Sequence, residues 1–118
     1  MRDFRNLIVW ERAHKLVLSI YRISKSFPKE ELYGITSQIR RAVVSIPTNI
    51  AEGCGKQTQK DLAKYLSISA GSTSEVEYLL ILSKDLEFIV PSFVDELITE
   101  INEIKKTLNA LIIKIAKG

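Results

Sequence analysis

Apolar residues recur along this chain at helical spacing in four successive stretches. The most regular is the last: Val94, Leu97, Ile101, Ile104, Leu108, Leu111 and Ile115 alternate three- and four-residue steps, a heptad seam, with Ile98, Ile112 and Ile113 widening it. In the second, Ile35, Ile39, Ala42, Ile46 and Ile50 form an apolar stripe, flanked by a polar one of Gln38, Arg41, Ser45, Asn49 and Glu52. The third places Leu62, Leu66, Ser69, Thr73, Val76 and Leu80 on one line. The first runs from Trp10 through Ala13, Leu16 or Val17, Ile20 and Ile23 or Ser24 to Phe27, with Leu18 and Tyr21 off the line.

The spacing predicts helices over about 7–27, 36–54, 59–86 and 92–117, and no strands. Pro28 and Pro91 separate elements, whereas Pro47 lies inside the second helix, where its missing N–H predicts a kink or restart near Ile46. Thr36 is the candidate cap of helix 2, and Thr58 with Asp61 and Ser92 with Asp95 read as capping boxes for helices 3 and 4. Gly71, in the small-residue run Ser67–Ser74, costs roughly 1 kcal/mol in a helix interior, which predicts a neighbouring helix packed closely there. Short connections between helices of this length give an all-α, antiparallel up-down-up-down four-helix bundle as one domain over 1–118.

Composition is that of an ordinary globular chain, with 46% apolar and 26% charged residues. No apolar run is long enough to span a bilayer. The opening MRDFRN is no secretory leader, and a single cysteine, Cys54, excludes an internal disulfide, so a cytoplasmic location is expected. Net charge is only +3, but residues 1–64 carry 12 Lys/Arg against 6 Asp/Glu, and residues 65–118 carry 5 against 8. A basic half can attract phosphate backbones. Alternatively, the two halves complement each other within the fold or between subunits.

Candidate chemistry is sparse. Lys56, Lys60 and Lys64 step by four around the helix 2–3 corner. With Arg12, Lys15 and Arg22 of helix 1, and Arg40, they are the candidate nucleic-acid contacts. Arg40 and Arg41, neighbours on a helix, point about 100° apart and are expected to serve different tasks. Arg41 is expected to pair with Glu75 or Glu52, and Asn49 and Glu52 to satisfy carbonyls freed by Pro47 or hold the helix 2–3 connection. The run Gly53–Lys56 fails as a phosphate loop: Ile50 stands where the first glycine belongs, and Gln57 follows the lysine. One His (His14) and one Cys fall short of a metal or nucleophile site, so no enzyme, metal or cofactor is expected. Trp10, Tyr21, Phe27, Tyr33, Tyr65 and Tyr78 read as core or interface positions. The apolar surplus of helices 1, 3 and 4 points to self-association.

The segments LIVWERA, FPKEELYGITSQIRRAVVSIPTNIAEG and YLSISAGSTSEVEYLL closely resemble the four helix bundle protein family, whose founding members are encoded in intervening sequences of bacterial large-subunit rRNA genes. Arg40-Arg41 through Ser45-Ile46-Pro47, Asn49 and Ala51-Glu52-Gly53 carry the specific part of the likeness. The C-terminal helix matches in pattern more than in letters. The resemblance implies an antiparallel bundle assembled into a ring, typically a homopentamer. It also implies kinship with the accessory protein of diversity-generating retroelements, a basic pentamer that binds nucleic acid and a partner protein, a reverse transcriptase.

Overall fold

The four amphipathic stretches fold as four helices in a computed structural model that describes residues 2–118. They are α1 (Ile8–Ser24), α2 (Ile35–Cys54), α3 (Gln59–Asp85) and α4 (Pro91–Lys117). Short 3-10 turns at Phe4–Asn6 and Lys29–Glu31 precede α1 and α2, and there is no strand among the described residues. Each of α1 and α3 packs on both α2 and α4, so α1 and α3 lie on a diagonal of an antiparallel up-down bundle. The molecule is an elongated rod of 45 × 23 × 19 Å.

The buried line of α1 starts at Val9 and runs through Ala13, Leu16, Ile20 and Ser24, one position away from the expected start at Trp10. Trp10 sits on the flank, edge-on to Phe4 at 4.9 Å and stacked on His14 at 5.2 Å. The helix stops at Ser24, and Phe27 turns inward from the following turn to meet Phe88 at 5.5 Å.

Thr36 is not the cap of α2. The helix begins one residue earlier, and the Glu31 carboxylate reaches from the preceding turn to accept the Ile35 N–H at 3.2 Å. Thr36 lies inside the first turn, 3% exposed, with no hydrogen-bond partner for its Oγ1. Nor does α2 restart at Pro47: it runs unbroken through the buried ring. Side chains brace the adjoining turns, where Ser69 donates to the Ile46 carbonyl at 2.9 Å and Asn49 to the Ser45 carbonyl at 2.8 Å. This is how packed helices tolerate an internal proline.

The tight contact between α2 and α3 is made by hydroxyl residues. Ser69 and Thr73 are fully buried, and the Ser45 and Ser72 hydroxyls meet at 2.8 Å. Gly71 is not at that contact. A Cβ there would meet nothing within 4 Å, whereas one on Gly53 would stand 3.0 Å from Tyr65 Cβ and 3.2 Å from Leu62 Cδ1. Gly53→Ala is therefore expected to destabilise the chain by about 1–3 kcal/mol through overpacking. Gly71→Ala should raise subunit stability by about 1 kcal/mol, and urea melts of the two variants check both signs.

Thr58 Oγ1 accepts the Asp61 N–H at 3.1 Å, so the box at the start of α3 forms on its Thr side. The Ser92–Asp95 box does not form, because Pro91 takes the first helical position and extended Val90 precedes it, leaving Ser92 inside the helix. The turn between α3 and α4 closes by a Schellman pair: Phe88 N–H donates to Ser83 O at 2.8 Å and Glu87 N–H to Lys84 O at 2.9 Å. Its left-handed position, φ 64°, is held by Glu87. Glu87→Gly should relieve that conformation and raise stability by about 0.5–1 kcal/mol, read as a higher melting temperature.

Candidate nucleic-acid interface

The expected cations divide by what faces them. Arg12 forms a two-pronged bond with Glu100 of α4, at 2.7 and 2.9 Å, and the paired carboxylate raises its already high pKa. It is held within the subunit rather than offered outward. Lys15 pairs with Glu11 one turn earlier at 3.2 Å, an exposed contact of small energy. Arg22 stands at the rim of an apolar cleft of about 380 Å³ with Phe88, Ile89, Val90 and Phe93.

Lys56, Lys60 and Lys64 have no ion-pair partner among the described residues. Lys56 leaves the end of α2 and Lys64 rises from α3, and their ammonium groups lie 5.2 and 5.8 Å from the centre of the Tyr65 ring. The electron-rich ring attracts both charges. Lys60 and Lys64 stand on α3, which makes no contact with α1, the helix that carries Arg12, Lys15 and Arg22.

Arg40 is pinned at the other end of α2. Its Nε donates to Ser24 Oγ at 2.7 Å, an Nη to the Tyr21 carbonyl at 3.4 Å, and its guanidinium lies 4.8 Å from the Tyr21 ring centre. Arg41 pairs with neither Glu75 nor Glu52, and its one hydrogen bond among the described residues goes to Ser37 at 3.4 Å. Both arginines line one cleft of about 380 Å³ with Tyr21, Tyr33, Thr36 and Ser37, because the turn before α2 carries Tyr33 alongside both.

The polar stripe of α2 divides as well. Gln38, Arg41 and Ser45 line an adjoining groove of about 540 Å³ with Glu75 across it. Asn49 turns back onto Ser45, and Glu52 is exposed farther along. Tyr33, expected in a core or interface, is 93% exposed, and Tyr21 and Tyr78 are also open in the single subunit. Only their position beside connections and polar residues hinted at this.

His14 lies on an exposed groove between α1 and α2, while Cys54 is buried beneath the N-terminal arm, whose Arg2 N–H donates to the Cys54 carbonyl at 3.1 Å. Burial pushes the Cys54 thiol up, against the pull of the Arg2 charge. The two do not share a cavity with Glu52, and among the described residues no group of three or more His, Cys, Asp or Glu could hold a metal. No helix there is long and apolar enough to cross a membrane.

Residues 5–110 match the family model of the 23S rRNA-intervening sequence protein. The chain belongs to this family. The match takes in both the Arg40–Arg41 cleft and the Lys56–Lys64 corner. Among solved structures, this member of the 23S rRNA-intervening sequence family is similar to a protein of unknown function from the S23 ribosomal protein family of Bacteroides thetaiotaomicron. The two are 26% identical with a TM-score of 0.82, over 89% of this chain and 95% of that one. No curated protein matches the chain.

Proposed function

We propose that the protein is a non-enzymatic, cytoplasmic accessory protein that assembles with copies of itself and holds RNA or DNA by its backbone. The observation that carries the nucleic-acid part is the Lys56–Lys60–Lys64 corner, three cations with no ion-pair partner among the described residues. Contacts of this kind neutralise phosphates and read little sequence.

Self-assembly is supported by two unlike apolar surfaces. One is the groove of about 370 Å³ between α1 and α2, walled by Phe4, Trp10, Val17 and Val44. The other is the outer face of α3, where Ile68, Tyr78 and Ile81 stand exposed around the open Gly71. Different surfaces meeting head to tail close into a ring when the rotation permits, as the expected pentamer would. A scaffold without nucleic-acid binding is favoured by the Arg12–Glu100 pair, in which basic α1 and acidic α4 satisfy each other.

Light scattering, combined with RNA and DNA binding at low and high salt, tests the proposal. We expect an oligomer whose affinity falls steeply with salt. A monomer at high concentration sinks the assembly. An oligomer that binds no nucleic acid at low salt leaves the scaffold standing alone.

A further inference from the structure

We propose that the cleft at the start of α2 receives one nucleotide of a single-stranded nucleic acid, its phosphate between Arg40 and Arg41 and its base against the Tyr33 ring. This inference rests on the nucleic-acid reading above and adds a site separate from the lysine corner.

Three observations converge on the cleft. Arg40 and Arg41 both line it, and neither makes an ion pair among the described residues. Arg40 is already fixed by Ser24 and the Tyr21 ring, so its remaining N–H groups are offered without further ordering. Tyr33 stands 93% exposed beside the cleft, its ring open in the single subunit.

The carboxylates nearby leave the site open. Glu31 commits its Oε1 to the Ile35 N–H, and Glu75 faces Arg41 from α3 across the adjoining groove, beyond ion-pair distance. Guanidinium forks suit phosphate oxygens, and an open phenol ring suits the face of an unstacked base. A duplex keeps its bases stacked and cannot use the ring, so the preference is for single strands.

The test measures the full chain with a labelled single-stranded RNA and with a duplex carrying the same strand. Tyr33→Ala should weaken single-strand binding roughly tenfold, as loss of one stacked base does, and leave the duplex unchanged. Tyr33→Phe should restore it. Arg41→Gln should weaken the single strand and flatten its salt slope by about one. Unchanged single-strand affinity in Tyr33→Ala and Arg41→Gln, with the lysine corner still required, overturns the cleft and leaves the wider proposal intact. Equal losses on single strand and duplex overturn the base-stacking role. A wild-type chain that binds neither probe removes both readings.

Discussion

Reversing Lys56, Lys60 and Lys64 to glutamate together is expected to abolish gel-shift binding of RNA while the oligomer persists. The change swings the corner by six charges. At about 1 kcal/mol per charge beside a phosphate in water, the loss is on the order of 10⁴ in affinity at low salt. It shrinks as salt shortens the reach of the field. Stability should suffer little by comparison. Lys56 and Lys64 give up their contacts with the Tyr65 ring, worth roughly 0.5–1 kcal/mol each at exposed sites, and none of the three reaches the core. An unchanged gel shift with the assembly intact would sink the assignment of this corner.

Ile101→Ala should have the largest effect on folding. Ile101 is fully buried in the middle of the α4 seam, beside Ile104 and Leu108, which are equally inaccessible. Removing its side chain loses burial and leaves a void that close-packed neighbours cannot fill, a cost of about 3–4 kcal/mol. For a domain of this size, a loss of that kind lowers the melting temperature by roughly 15 °C or more. Ile113 lies on the same helix but is 55% exposed, and Ile113→Ala should leave the subunit nearly unchanged. Similar losses in both variants, read by calorimetry, would mean that the α4 seam does not face the core as described.

Both expectations start from features that one-dimensional spacing carries well or badly for physical reasons. The α4 seam was readable because burial on a straight helix recurs every three or four residues, whatever the helix packs against. Thr58 was readable because a cap is a local event. What failed were local rules that a neighbour overrode. Thr36 lost its capping role to Glu31, which reaches over from the preceding turn, and Ser92 lost its role to Pro91 at the head of the helix. The partners of the cations were unreadable for a different reason: Arg12 meets Glu100 across 88 positions of chain. Arg40 and Arg41 point apart along their helix, yet share a cleft because the turn carrying Tyr33 folds alongside them. Tyr33's place in a connection hinted at exposure, but only the fold puts its ring at the cleft.

The continuity of α2 through Pro47 turns the helix into a ruler. Had the chain broken there, its two ends could have swung relative to each other. As one rod they hold the arginine cleft and the lysine corner at a set spacing, roughly 21 Å of helix from Arg40 to Cys54 at 1.5 Å per residue, with Lys56 just beyond. A stacked strand covers that span in about seven nucleotides at 3.4 Å each. Shorter fragments reach one end or the other. For a strand that bridges both, the second contact would form from a tethered neighbour rather than a fresh encounter, and affinity is expected to climb in a step with length.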